Sequence, residues 1–350
     1  MTALIASWLA AATLFTLVTI VRLGRREVRP RSAPVDLKVL LLRPFDAPTP
    51  REVQNLAAPL PPGVRQLVLA PFRPPDVVQG EWLFSDPPCG NRKAGHLAYA
   101  LATVAHEGEV VISVDADVRV TAALLESLSE PLLAGAALCT AAPAPDRALD
   151  VAGHAIRGLL LRTHQAFTAL AAMAAGAPAV CGKAMALGRP AIDELPRLVN
   201  CIGEDLELAR RLHARGHRVA LAEELALTPA APQTLTAAAQ RIMRWMQVLR
   251  AHRPLLYPSV PLLFAPTLPL VVLAALSGQP GLYVGAAALV LARTGLSLRL
   301  AGATVPAWWE WLAGEALLLI AFLSSLLVRD VIWRGRRLEL RPGGLIKVVS

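Results

Sequence analysis

Two stretches without a single charged side chain constrain this chain more than anything else in it: Met1 to Val21, and Pro254 to Ala292. The first is long enough to cross about 30 Å of hydrocarbon as one helix, and the second far exceeds the ~20 residues that one span needs. Composition agrees. With 55% hydrophobic residues, 17% charged residues and a mean hydropathy of +0.48, 350 residues are too apolar for an ordinary water-soluble chain. A cleavable leader would carry its basic residues ahead of a shorter apolar core, whereas here Arg22, Arg25, Arg26 and Arg29 follow the core. Positive-inside logic then puts the N-terminus outside and these arginines in the cytoplasm.

The second stretch reads as two membrane segments meeting near Ser277 to Pro280. A further apolar stretch, Ala307 to Val328, contains Glu310 and Glu315 and opens with Trp308, Trp309 and Trp311, an aromatic cluster typical of the headgroup level. Four full crossings would leave the basic tail, with Arg329, Arg334, Arg336 and Arg337, on the outer face. Either one C-terminal segment only dips into the membrane, as Pro258, Pro261, Pro266 and Pro269 allow, or the tail breaks the charge rule. The expected domains are a membrane anchor with basic flank over 1–30, a cytosolic globular domain over 31–253, and a membrane region with basic tail over 254–350. The net charge of +9 is concentrated beside the apolar segments, so it suits anionic headgroups of a lipid bilayer and not nucleic acid. The alanine- and arginine-rich composition points to a bacterium, and the expected location is its inner membrane with the globular domain in the cytoplasm. Cys89, Cys139, Cys181 and Cys201 form no CxxC pair and read as reduced core residues. His213 and His217 have helical spacing, but Gly216 between them ends the helix and removes a metal-binding pair.

Within 31–253, short apolar runs alternate with helical patterns, as a mostly parallel α/β sheet flanked by helices requires. The expected strands are Lys38–Leu42, Gln66–Ala70, Val110–Val114 and Arg218–Ala222. Helices are expected from about Asn91, with Ala94, Leu97, Ala98 and Leu101 on one face, and from Glu204 to Arg215.

Asp115 and Asp117 stand at the carboxyl end of Val110–Val114, where open α/β sheets place their ligands. Two carboxylates separated by one residue can share a hard divalent ion that neutralises a diphosphate; the bland alternative is a solvated turn. Glu204 and Asp205 open a helix, where a carboxylate is ordinarily explained by capping or the helix dipole. A rigidly held carboxylate there also suits a general base, with Asp205 as the candidate and Glu204 as the fallback. Gln240-Arg241-Ile242-Met243-Arg244-Trp245 precedes the C-terminal apolar region. An interfacial helix with snorkelling arginines explains its charge, and Arg241, Arg244 and Trp245 can equally clamp a diphosphate and cover a sugar.

Taken in order, Asp115-x-Asp117, Glu204-Asp205 and Arg241-x-x-Arg244-Trp245 ahead of membrane helices resemble the (Q/R)xxRW glycosyltransferases, the inverting family 2-like enzymes with the GT-A fold, and most of all the ceramide glucosyltransferases. Asn91-Arg92-Lys93-Ala94-Gly95-His96-Leu97 is similar to their Asn-x-Lys block beside the donor. Val180-Cys181-Gly182-Lys183-Ala184-Met185-Ala186 is similar to their glycine-containing segment ahead of the base. The resemblance implies a nucleotide-sugar donor such as UDP-glucose, a Mg²⁺ or Mn²⁺ ion on Asp115 and Asp117, a membrane lipid acceptor, Lys93 beside the donor and Asp205 as base. The helical stretch Ala155–Ala175 is a place for the acceptor. The family also places an aspartate after the second strand to contact the nucleotide base, and here Leu69-Ala70-Pro71-Phe72-Arg73 offers none before Asp76. Either Asp76 substitutes, or the base is held differently, or donor preference has shifted. The same motifs also occur in processive polysaccharide synthases, a hopanoid or a diacylglycerol is an alternative lipid acceptor, and a membrane-anchored scaffold that has lost its chemistry is the non-enzymatic alternative.

Overall fold

A computed structural model of the chain describes residues 1–24, 37–46, 49–105, 108–173, 179–301, 308–328, 330–333 and 336–349. Arg25, Arg26, Arg29, Arg329 and Arg334 of the basic flanks, the start of the third apolar stretch at Ala307, and Ala174 and Ala175 of the acceptor stretch lie outside the described residues. In chain order the elements are α1 (Thr2–Gly24), β1 (Val39–Pro44), α2 (Pro50–Leu56), β2 (Val64–Ala70), β3 (Glu81–Phe84), α3 (Arg92–Thr103), β4 (Val110–Val114), α4 (Ala122–Leu133), β5 (Leu138–Ala141), β6 (Pro143–Pro145), α5 (Val151–Met173), β7 (Ala184–Leu187), α6 (Arg189–Glu194), α7 (Glu204–Ala214), β8 (Val219–Leu221), β9 (Ala226–Thr228), α8 (Leu235–His252), a π-helix (Val260–Phe264), α9 (Thr267–Ser277), α10 (Pro280–Ala301), α11 (Glu310–Leu327), β10 (Asp330–Trp333), β11 (Arg336–Leu340) and β12 (Ile346–Val348).

The chain divides into two compact units assembled from separated segments. One comprises Met1–Glu27, Ala144–Gly176 and Ala230–Arg329, and the other Val28–Pro143, Ala177–Pro229 and Asp330–Ser350. The units thus draw on segments that alternate along the chain: α5 groups with the apolar helices, and the C-terminal strands group with the sheet. Hydropathy averages miss this because α5 buries Arg162, His164 and Gln165 as well as Ile156 and Leu159. Such a face needs acidic partners, which α11 carries.

In the sheet unit seven strands run in the order β3-β2-β1-β4-β7-β5-β8. β3, β2, β1 and β4 are mutually parallel, β5 and β8 are parallel, and β7 runs antiparallel between β4 and β5. The mostly parallel, helix-flanked sheet is therefore as expected, and the four strands named from the sequence, β1, β2, β4 and β8, begin and end within two residues of their predicted positions, whereas β3, β5 and β7 were not foreseen. Continuous apolar runs form its centre because both faces are covered. Leu40, Leu42, Leu67, Leu97 and Leu208 pack on one side, and Val39, Leu41, Ile112, Leu124 and Leu128 on the other. Strand order reverses between β1 and β4, which places a topological switch point at their carboxyl ends. β10, β11 and β12 form a separate antiparallel sheet. It is tied to the segment before α7 by Ile202 N–H donating to Gly344 O at 2.9 Å, Ile346 N–H donating to Asn200 O at 3.0 Å, and a bridge between Cys201 and Leu345.

In the helix unit, Thr2–Leu23, Pro280–Leu300 and Glu310–Leu327 are long and apolar enough to cross a bilayer, and Thr267–Ser277 is a shorter apolar helix. The protein is a membrane protein. Ile5, Leu9 and Ala12 of α1 pack with Leu270 and Ala274 of α9 and with Leu282, Ala286 and Leu289 of α10. Gly278, at φ +63°, makes the tight turn between α9 and α10, where two segments were expected to meet.

Candidate active site

The site lies in the sheet unit, at the switch point. β4 ends at Val114, and the chain turns at once, with Val118 N–H donating to Asp115 O at 3.0 Å and Asp115 N–H to Lys183 O at 2.9 Å. This turn delivers both carboxylates to one cation. Lys183 Nζ lies 3.2 Å from Asp115 Oδ2 and 2.6 Å from Asp117 Oδ2. Lys93, in the first turn of α3 behind an Asn91 N-cap, reaches Asp115 Oδ1 at 2.8 Å and Glu204 Oε1 at 3.5 Å, and donates to Gly182 O. Burial alone would raise the Asp115 carboxyl, but Lys93 and Lys183 hold it down to about 2. Burial would lower both lysines; their carboxylate partners raise them above the usual ammonium range instead.

α7 begins at Glu204 behind Gly203, which takes a left-handed φ of +73° and supplies no side-chain cap. Neither acidic residue is the N-cap, so the capping explanation does not hold as such. Glu204 is fixed by Asn91 Nδ2 at 2.8 Å, and the same amide donates to Cys201 O at 2.7 Å. Asp205 packs against Gly182 so closely that a Cβ on that glycine would lie 3.2 Å from the Asp205 carboxyl carbon and Oδ2. Burial, and next the Glu204 charge, push the Asp205 carboxyl up to about 7 against the opposing pull of Lys93 and of the backbone N–H groups at the helix start. Four stretches far apart in the sequence, at Asn91–Lys93, Asp115–Asp117, Gly182–Lys183 and Glu204–Asp205, thus form one charged cluster.

Sequence reasoning left several members without a role. Lys183 lies in a quoted motif, yet its bond to both aspartates has no signature in spacing. Asp46, just past β1, takes two 2.7 Å hydrogen bonds from Arg92 Nε and lies 3.5 Å from His96 Nε2; His96 Nδ1 is 2.9 Å from Ser85 Oγ. Asp46 follows the end of a parallel strand just as Asp115 does, so its position in the sequence marks it in the same way. Arg43 is fully buried, and its Nη2 donates to Ala116 O at 3.2 Å and Val118 O at 3.1 Å, bracing the acidic turn from behind. Among the described residues its Nε and Nη1 meet no hydrogen-bond partner, and burial draws its pKa down to about 10 against the pull of Asp115 and Asp117.

The remaining candidates belong to other elements. Asp76 sits on the loop after β2 with its side chain 92% exposed, 3.5 Å from Arg73. Arg241, Arg244 and Trp245 lie on α8 in the helix unit, where Ile242 and Met246 supply the buried face between them. His213 and His217 are separated by the end of α7, with Gly216 at φ +81°, and the four cysteines are free thiols.

Among the described residues no three His, Cys, Asp or Glu side chains converge on one point. The two carboxylates that share the Lys183 ammonium do define a position that a hard cation fits. Mg²⁺ and Mn²⁺ suit such oxygen donors, and Mg²⁺ in particular is commonly held by one or two carboxylates with the rest of its shell from substrate phosphates and water. Asp115 and Asp117 are the residues that would hold it.

No curated protein matches this sequence. Solved structures similar to the chain include a mannosyltransferase, PcManGT from Pyrobaculum calidifontis, in complex with GDP-Man and Mn2+. It is 17% identical at a TM-score of 0.48, with 93% of this chain and 98% of that one covered. The bifunctional IspDF from Campylobacter jejuni is 11% identical at a TM-score of 0.29 over 53% of this chain and 50% of that one. The family model of glycosyl transferase family 21 matches residues 78–346, most of the chain and all four stretches of the charged cluster, so the protein belongs to that family and is a glycosyltransferase.

Proposed function

We propose that the protein transfers a single hexose, with inversion, from a nucleotide-sugar donor such as UDP-glucose to a hydroxyl of a ceramide-like membrane lipid. The observation that carries this reading is Asp205: a carboxyl raised to about 7, set against Gly182 and one lysine away from Asp115. A base whose proton affinity lies near the working pH serves proton transfer best. In the proposed step the lipid hydroxyl oxygen bonds to the anomeric carbon and its proton passes to Asp205. The bond from that carbon to the diphosphate oxygen breaks, and the nucleoside diphosphate leaves with the electron pair. Glu204, already engaged by Asn91 and Lys93, acts by position: its charge helps to keep Asp205 basic. It stays the fallback base should Asp205 prove dispensable.

A Mg²⁺ or Mn²⁺ ion on Asp115 and Asp117, when bound, supplies charge neutralisation of the leaving diphosphate. Lys93 and Lys183, each bonded to these acids, are placed to turn toward donor phosphates once the acids are otherwise engaged. The family resemblance assigns Arg241, Arg244 and Trp245 to the diphosphate and sugar, and Asp76 to the nucleotide base. The proposed setting is a bacterial inner membrane with the sheet unit in the cytoplasm.

Incubating membranes that contain the protein with labelled nucleotide sugars and a lipid extract should give one labelled lipid, heavier by one hexose. A ladder of polymer would replace this reading with a processive synthase, and purified protein without metal-dependent donor hydrolysis would replace it with a scaffold. Asp117→Ala should raise the metal concentration needed for donor binding; an unchanged requirement would remove that residue from the metal site.

A further inference from the structure

We infer that α11, although long and apolar enough to span, lies in the plane of the membrane at the interface on the side of the catalytic sheet. The chain then crosses three times, through α1, the broken segment Val260–Ser277 and α10.

The C-terminal end of α11 fixes one side. β10–β12 belong to the sheet unit and are bonded into it through Gly344, Leu345 and Ile346. α11 ends at Leu327 and β10 begins at Asp330. That connection is too short to traverse a bilayer, because even an extended chain covers only about 3.3–3.6 Å per residue. The end of α11 therefore lies on the side of the membrane that holds the sheet.

The direction of α10 fixes the other end. Near the start of both helices, a Cβ on Gly285 of α10 would meet Leu9 of α1 at 3.2 Å. Further along both, Phe15 of α1 packs on Phe264 with ring centroids 5.4 Å apart, and Arg293 of α10 donates to the adjacent Leu263 O at 2.7 Å. Advancing from Leu9 to Phe15 thus matches advancing from Gly285 to Arg293, so the two helices run parallel. α9, joined to α10 by the tight turn at Gly278 and by Tyr283 Oη donating to Ala275 O at 3.0 Å, runs opposite to both. Each parallel helix carries an arginine in its last turn, Arg22 and Arg299, as the inner end of a span should. α1 delivers the chain to the sheet's side, and α10 therefore delivers it there again. A straight helix that begins and ends on one side does not cross.

The packing of α11 agrees. Along one face it meets polar partners from its first residue to its end: His154 and Arg157 of α5 lie 2.6 and 2.8 Å from Glu310, Arg162 lies 2.7 Å from Glu315, and Arg250 and Gln247 of α8 donate to Ser325 O and Val328 O at 2.6 and 3.0 Å. A spanning α11 would carry these ionic partners into hydrocarbon. The opposite face presents Ile320, Leu323 and Leu327, which are 57, 53 and 86% exposed, and Trp308 precedes the helix at 67% exposed. Of charged residues α11 itself carries only Glu310 and Glu315; it is the polar groups that α5 and α8 bring to one side of it, the apolar residues left on the other and the tryptophan at its start that fit a helix at the acyl-headgroup boundary of a lipid bilayer. The short helix α9 can cross because it continues the π-helix. The Leu263 and Phe264 carbonyls there are capped by Arg293 and Arg162, which satisfies the irregular backbone where this segment enters the bilayer.

The test uses the full chain in sealed vesicles. Spin labels are attached through p-acetylphenylalanine at Ile320, Leu323 and Leu327, and peptide tags are inserted after Gln279 and placed at the C-terminus. The expected result is one common depth for the three labels, about 5–10 Å below the headgroups, and tags exposed on opposite faces of the vesicle. A depth that changes by about 1.5 Å per residue along the series, with Ile320 near the bilayer centre, would overturn the inference. So would tags on the same face, a result that needs no substitution in α11.

Discussion

Compare two clusters of alternating acids and bases, one from each unit: the difference between them separates chemistry from architecture. In the helix unit, Arg162, Glu315 and Arg293 have side chains only 8, 1 and 3% exposed. Their partners are each other, the Leu263 and Phe264 carbonyls and Thr267. In the sheet unit, Lys93, Asp115, Lys183 and Asp117 pair just as closely, yet their side chains are 15 to 37% exposed. They stand at strand ends and helix starts, and they leave Asp205 with a proton affinity far from its usual value. Ion pairing alone therefore identifies nothing. What marks a reactive cluster is residual access together with one member held away from its ordinary charge state.

The sharpest way to break this contrast is Asp205→Asn. Its transfer rate should fall by about 10²–10⁴-fold in single-turnover assays, with donor binding retained. In the wild type the rate should rise with pH through about 7, because the base must be ionised, and that limb should vanish in the variant. Stability should move the other way. An acid whose folded pKa is raised binds its proton more tightly in the folded than in the unfolded state, so folding stability declines as pH rises from about 4 to about 7. Asp205→Asn should accordingly match or exceed the wild-type melting temperature at pH 8.

Glu315→Ala tests the other cluster. It leaves two buried guanidinium groups without their shared carboxylate, and removing one partner of a buried pair costs about 3–5 kcal/mol. The expected readout is loss of folded protein in thermal scans, with the nucleotide-binding affinity of the surviving folded fraction unchanged.

Gly182→Ala is subtler. Its new methyl would press on the Asp205 carboxyl at 3.2 Å, and a displaced base should lower kcat by about tenfold with little change in donor KM. Smallest is Asn91→Ala, which removes the α3 cap and one bond to Glu204. The lost cap should cost about 1 kcal/mol, seen as a melting temperature a few degrees lower.

Much of the sheet was legible because its signals are local. Val110–Val114 is an apolar run whose length fits a strand, Asn91 is a cap before a periodic apolar face, and Gly216 stops a helix by its left-handed backbone. The acidic turn was legible because the end of a parallel strand is where ligands go. Lys183 and Asp46 were not assigned, since each gains its role from a partner dozens of residues away, and that pairing depends on the order of strands. α5 illustrates the same limit: its buried Arg162 looks like surface in the sequence until Glu315 is brought against it.

By itself, then, the sequence determined what depends on neighbours along the chain: the apolar stretches, the four strands and two helices it named, and the position of the acidic turn at a strand end. Only the tertiary structure decided that α5 and α11 pair, that the C-terminal strands return to the sheet, and that Gly182, Lys93 and Glu204 surround Asp205. The physical reason is range. Backbone preference and hydropathy act over a few residues, whereas burial of a charge is decided by whichever distant segment supplies its counter-charge, and that is fixed only when the chain has folded.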